Sequence, residues 1–119
     1  MNDFERIDLL ASSGFITSLE ADALRRVIRI IREDAVLSEA CVDISPLVTH
    51  LASAMRRMRL GEHIDVPDDT LKEDMRANGI LEQATRLEEE IESVLSAPLD
   101  EAERIFVVGH CGALFMQVV

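Results

Sequence analysis

The sequence predicts an all-α fold, a compact bundle of five main helices plus a short N-terminal helix. Hydrophobic residues make up 48% of the chain but aromatic residues only 3%, so aliphatic side chains must build the core. Apolar residues recur with helical period in successive segments, and capping residues mark the ends of those segments. A chain of 119 residues forms about one domain. We therefore treat 1–119 as a single domain, with 1–15 as a helical extension and 18–117 as the bundle.

The first two helices are predicted from spacing and caps. Apolar residues at helical spacing indicate a short helix from Asp3 to Ser12, which ends before Gly14. Thr17 followed by Glu20 forms a capping box, which predicts a second helix over about 18–33. Residues 34–44 have no firm period and are interpreted as a connection with a helical turn around 38–42.

The stretch 45–64 contains a third helix whose two ends are both predicted. Ser45 suits the N-cap, Pro46 suits the first helical position, and Gly61 suits the left-handed turn at the other end. The helix should therefore run from about 46 to 60. His50 lies at the edge of its apolar stripe, and Arg57 follows two turns later on the same side, roughly 10 Å away. The stripe itself consists of Leu47, Leu51, Met55 and Met58.

Three further helices follow a polar loop over 62–69. We expect a short helix over about 72–77, capped by Asp68 or Asp69, a helix over 80–95, and a last helix over 102–118 that is the most buried. Asn78 and Gly79 separate the first two of these. The three consecutive glutamates at 88–90 are interpreted as a solvated face rather than as metal ligands.

The last helix contains two glycines that call for an explanation. Gly109 and Gly112 together cost about 2 kcal/mol relative to alanine in a helix interior. Either a neighbouring helix approaches closely at these positions, or the glycines leave the imidazole of His110 open to a partner. Cys111 is interpreted as a small core residue.

Charge and composition exclude several classes of function. Residues 1–60 carry 9 acids and 8 bases, whereas residues 61–119 carry 14 acids and 4 bases. Direct binding of DNA or RNA needs clustered cations, so it is not expected. The sequence has neither a long uncharged apolar run nor the pattern of a signal peptide, so we expect a cytoplasmic protein with no membrane contact.

Neither a metal site nor an enzyme active site is indicated. A metal site built from Cys41, His50, His110 and Cys111 would have suitable residue types but none of the usual ligand spacings. No spacing singles out a nucleophile with its base, so we expect no enzymatic activity and no cofactor. His63, in the polar loop after the third helix, is expected to be exposed, with assistance to His50 as the alternative.

Two motifs resemble the histidine motifs of the PTS-regulation domain (PRD). The stretch 47–51, with His50, is followed by Ala54, Arg57, Gly61 and Ile64, which is similar to the first motif, in which Arg follows the histidine by seven positions. In the second motif an acidic residue precedes the histidine by seven positions on the last long helix, as Glu103 precedes His110. The resemblance spans about 18–117.

The resemblance implies a regulatory protein of the sugar phosphotransferase system. PRDs are five-helix bundles, usually homodimers, whose histidines accept phosphoryl groups from the phosphocarrier HPr or from an EIIB. His50 and His110 would be the acceptors, Arg57 or an arginine of a neighbouring chain would pair with the phosphate, and Glu103 would act as an orienting group. Thr49 occupies the place where many members have an Asp that orients the imidazole, so it would be a weaker orienting group. With no attached nucleic-acid-binding domain, the output to transcription or carbohydrate metabolism would pass through a partner protein.

The residues also permit other interpretations. Each histidine could be a half-buried structural residue that bonds a backbone carbonyl or an acid across a helix interface. The chain would then be a dimeric helical interaction module without phosphorylation, or a small subunit of a sugar-metabolising complex.

Overall fold

The computed structural model describes residues 1–118, and these form six α-helices joined by short connections. No strand occurs among these residues, so the predicted all-α fold is confirmed. The helices are α1 (Asp3–Ser12), α2 (Ser18–Glu33), α3 (Ser45–Arg59), α4 (Thr70–Ala77), α5 (Leu81–Glu92) and α6 (Glu101–Met116), with a 3-10 turn at Leu37–Glu39.

Four of the helices form a ring around the core. Helices α2, α3, α6 and α5 each pack against the next, and α5 closes the ring on α2. Helix α1 packs on α2, and α4 packs against both α5 and α6. Buried aliphatic side chains from all six helices form one contiguous cluster. None of the helices described here is both long and apolar enough to cross a bilayer.

Side-chain caps fix the starts of α2 and α6. Thr17 and Glu20 form the predicted capping box at the start of α2. At the start of α6 the Asp100 side chain accepts a hydrogen bond of 2.9 Å from the backbone amide of Glu103. This contact fixes Glu103 in the first turn of α6, facing the bundle interior, where its exposure is 0%.

The predicted N-cap of α3 was wrong. Ser45 is the first helical residue, and Ile44 occupies the cap position without a side-chain hydrogen bond. The Asp43 carboxylate accepts from the Ser45 amide at 3.0 Å, which leaves the Ser45 hydroxyl free to donate to Asp3 at 3.1 Å. Ser45 therefore joins the start of α3 to the start of α1. The other end is as predicted, since Gly61 adopts a φ of +74°.

The remaining boundaries differ by a few residues from the predictions. Helix α4 begins at Thr70, whose amide donates to the Asp68 carboxylate at 3.1 Å. Helix α5 is shorter than predicted, because its regular hydrogen bonding stops at Glu92 and a turn over 93–97 follows. Helix α6 ends at Met116, two residues before the predicted end.

The expectation that 88–90 form a solvated face was wrong for Glu88. Its exposure is only 2%, whereas Glu89 and Glu90 are exposed. The reason is helical register, because position 88 falls at i+4 from the buried Ala84 and so points into the core.

Close packing of α4 against α6 explains the two glycines. A Cβ atom on Gly109 would lie 2.6 Å from Leu71 Cδ2, and one on Gly112 would lie 2.6 Å from Met75 Sδ. The glycines therefore form a shallow notch into which α4 packs. Of the two explanations offered by the sequence, the structure supports the close approach of a neighbouring helix.

Candidate functional site

An open groove with a volume of about 1110 Å³ lies where α3 faces α6. We call it the histidine groove. Its charged and aromatic lining comes from three helices: Arg6 on α1, His50 and Arg57 on α3, and Phe106 and His110 on α6. Asp65, in the loop after α3, also lines it. The groove thus brings together two histidines that lie far apart in the chain.

The two imidazole rings are direct neighbours. Their centroids are 4.8 Å apart with an interplanar angle of 40°, and Phe106 packs at 5.9 Å from the His50 ring. Both histidines are half-buried. Each has one side against the bundle and one side toward the groove, so both sequence-predicted acceptor candidates share a single site.

A partly buried ion pair joins α3 and α6 next to the histidine pair. Arg57 donates to the two carboxylate oxygens of Glu103, from Nε at 2.8 Å and from Nη2 at 2.9 Å. Arg57 follows His50 by seven residues on α3, and Glu103 precedes His110 by seven on α6. Because α3 and α6 run antiparallel at this contact, the two motifs align head to tail. Along the helices the ion pair lies about two turns from the histidines, but the Glu103 side chain reaches back to the His50 ring.

The Glu103 carboxylate also lies beside the His50 ring. His50 Nε2 is 3.4 Å from Glu103 Oε1, but the atoms are too poorly aligned to form a hydrogen bond. Nε2 is buried and has no hydrogen-bond partner in residues 1–118. Arg57 holds the Glu103 carboxylate in place, so at 3.4 Å the ring is oriented by packing and by the nearby charge rather than by a strong hydrogen bond.

Burial keeps both imidazoles uncharged at neutral pH. Loss of solvation lowers the pKa of His50 below its usual value, and the neighbouring His110 and Arg57 lower it further, while Glu103 acts in the opposite direction. Burial also lowers the pKa of His110. A neutral imidazole has a nitrogen lone pair available for attack on an electrophile.

Hydroxyl groups and a second guanidinium complete the lining. Thr49 lies in the groove as the sequence suggested, and Ser53 and Ser45 join it there. Ser53 falls at i+4 from Thr49, so helical spacing alone could have identified it. Arg6 belongs to a different helix, and no local sequence signal placed it in this groove.

His63 lies outside the histidine groove. Its side chain is 74% exposed, which confirms the prediction of an exposed residue, and its Nδ1 lies 3.3 Å from Asp100 Oδ2. His63 therefore contacts the N-cap residue of α6 rather than the His50 ring.

The cysteines are not brought to the histidines. Cys41 is exposed beside the 3-10 turn in a separate pocket, whereas Cys111 is fully buried, as predicted for a core residue. Burial raises the pKa of the Cys111 thiol. Within residues 1–118, no three His, Cys, Asp or Glu side chains are arranged to hold a metal ion.

Comparison with known proteins gave no relative. No protein-family model, no curated protein and no solved structure matches the chain. The resemblance to the PRD therefore stays a prediction, and the site must be interpreted from its own geometry.

Proposed function

We propose that this protein is a regulatory phosphoacceptor of the sugar phosphotransferase system. In this proposal HPr or an EIIB phosphorylates His50 or His110, and the protein is a PRD-type regulator. The observation that carries the proposal is the pair of half-buried imidazoles, with ring centroids 4.8 Å apart, at an open groove. The antiparallel match of the His50–Arg57 and Glu103–His110 motifs supports it further.

The surroundings of His50 differ from those of a fully hydrogen-bonded structural histidine. A structural histidine in a helix interface normally bonds a carbonyl or a carboxylate, because an unsatisfied buried polar atom is costly. His50 Nε2 makes no such bond within the described residues. Instead, Nε2 lies 3.4 Å from Glu103 Oε1, where the carboxylate orients the ring and leaves Nδ1 as the nitrogen for chemistry.

The transfer reaction needs only groups that the two proteins supply. The lone pair of a neutral imidazole nitrogen attacks the phosphorus of the donor's phosphohistidine. The phosphorus–nitrogen bond to the donor breaks, its electron pair returns to the donor imidazole, and the donor ring takes up the proton that the phosphorylated acceptor ring releases. Neither water nor an external cofactor takes part in the transfer.

The geometry favours Nδ1 as the attacking nitrogen of His50. Nε2 is buried, and a phosphoryl group there would lie against the Glu103 carboxylate 3.4 Å away. Attack through Nδ1 avoids this repulsion. The positive charge that develops on the ring during attack would then be stabilised by Glu103, which acts as a positioning residue.

Phosphorylation would change the charge of an interhelical surface. The added group carries a charge of roughly −1.5 to −2, which either disrupts a packed interface or pairs with a cation there. In this proposal the affected interface belongs to a cytoplasmic homodimer that signals to an effector protein. The effector, rather than this acidic chain, would contact nucleic acid or a metabolic enzyme.

Phosphotransfer reconstituted with purified components tests the proposal. Wild type incubated with phosphoenolpyruvate, enzyme I, HPr and EIIB components should acquire an acid-labile label. The label should fall or vanish in His50→Asn or His110→Asn and stay in the matched control His63→Asn, whose ring lies outside the groove. Absence of label on wild type with every donor would contradict the proposal.

A further inference from the structure

The two guanidinium groups that line the histidine groove differ in their availability. Arg57 is engaged by both oxygens of Glu103, whose side chain has an exposure of 0%. Redirecting Arg57 toward a phosphate would leave a buried carboxylate without its partner, which is strongly unfavourable. Only Nη1 of Arg57 remains for another partner, and the charge of Arg57 is already balanced by Glu103, so Arg57 is less suited than Arg6 to the phosphate-pairing role that the sequence suggested for it.

Arg6 is held in the groove but only weakly engaged. Helix α1 is anchored to the bundle by Ile7, which is fully buried, and its start is fixed by a capping box between Asn2 and Glu5. The Arg6 side chain is 32% exposed, and its nearest carboxylate oxygen, on Asp3, lies 3.5 Å away without a hydrogen bond. Its backbone position is therefore fixed while its guanidinium is free to exchange partners.

A phosphoryl group would outcompete Asp3 for Arg6. The phosphate presents up to two negative charges and several oxygens in the geometry that a guanidinium pairs with, whereas the Asp3 contact is a single long ion pair with one charge. Asp65 also lines the groove and would repel the phosphate, so a compensating cation is needed there.

We propose that Arg6 of α1, rather than Arg57, pairs with the phosphoryl group in the histidine groove. This inference rests on the proposed function. It makes the N-terminal extension part of the acceptor site. Because Asp3 also accepts the hydrogen bond from the Ser45 hydroxyl at 3.1 Å, release of Arg6 alters the junction between the starts of α1 and α3. The packing of the start of α1 against α3 would thus depend on whether the site is phosphorylated.

The test is the equilibrium of phosphotransfer at a fixed ratio of phosphorylated to free HPr or EIIB. Arg6→Gln should lower the equilibrium constant about tenfold, since one charge-assisted pairing is lost. Arg6→Lys should recover part of the loss. The matched control is Arg29→Gln, which removes the same charge from an exposed position on α2 outside the groove.

Hydrogen exchange of the α1 amides gives a second measurement. Exchange over residues 3–12 should change on phosphorylation of wild type and stay constant in Arg6→Gln. The inference is overturned if the equilibrium constant of phosphotransfer in Arg6→Gln equals that of wild type. It is also overturned if the constants of Arg6→Gln and Arg29→Gln fall by the same factor. The proposed function stands in both cases. Absence of label on wild type overturns the proposed function and this inference with it.

Discussion

At the scale of single residues, carboxylates placed inside the bundle distinguish this structure from a simple aliphatic core. Glu103 and Glu88 are both nearly inaccessible to solvent, yet their surroundings differ. Glu103 is neutralised by the Arg57 guanidinium. Glu88 lies beside Glu92, and its Oε1 has no hydrogen-bond partner in the described chain.

The neighbouring carboxyl groups of Glu88 and Glu92 make the free energy of unfolding depend on pH. Burial and the neighbouring Glu92 carboxylate raise the pKa of Glu88 from 4.5 to about 8. The pKa of Glu92 is lowered, since its bonds to Arg104 and Glu88 outweigh the effect of burial. Between pH 4.5 and 8, Glu88 is ionised in the unfolded chain but protonated in the folded one, so its contribution to folding falls as pH rises.

We therefore expect Glu88→Gln to stabilise the protein at alkaline pH. The amide mimics the protonated carboxyl, so its advantage over wild type should be small near pH 4.5 and grow toward pH 8. At pH 8 the free energy of unfolding of Glu88→Gln should exceed that of wild type by on the order of 3 kcal/mol. Urea denaturation across this range measures the difference. The control is Glu89→Gln on the exposed face, and an equal or pH-independent effect of both variants would contradict the assignment.

The resemblance to the PRD motifs singled out candidate residues but not their contacts. His50, His110, Arg57, Glu103 and Thr49 were all singled out by their places in those motifs. The pairing of Arg57 with Glu103 depends on the contact between the antiparallel helices α3 and α6. No local sequence pattern predicts that contact. The role of Arg6 depends in turn on where α1 docks.

At the scale of helices, the prediction succeeded where local caps and periodicity agree. The bounds of α1 and α2 matched, because apolar spacing and capping residues there point to the same ends. The start of α3 differed, since Asp43 supplies the local acceptor and Ser45 bonds to the distant Asp3. A long-range contact therefore replaced a local cap.

The α4–α6 contact yields a prediction about packing. Gly112→Val would place side-chain atoms where Met75 now lies, so we expect a loss of about 1–3 kcal/mol from overpacking. Met75→Ala alone should also destabilise, because it leaves a cavity. The double variant should lose less than the sum of the two single losses, as measured by a denaturation double-mutant cycle. Strict additivity would contradict direct contact between the two positions.

At the scale of the whole molecule, the ring of four helices is what assembles the histidine groove. Aliphatic composition and helical period were enough to predict the all-α class. They could not predict that α3 and α6 are antiparallel neighbours, because that follows from how the helices close the ring. The same closure aligns the two motifs and places both imidazoles at one opening.

The most direct test of this account is NMR of wild type incubated with phosphorylated HPr or EIIB. We predict a phosphorus-31 phosphoramidate signal that is coupled to Nδ1 of His50 and lost in His50→Asn. A phosphoramidate signal on Nε2 would contradict the proposed orientation of the ring. If no histidine in the groove acquires such a signal with any donor, the phosphoacceptor function itself is wrong.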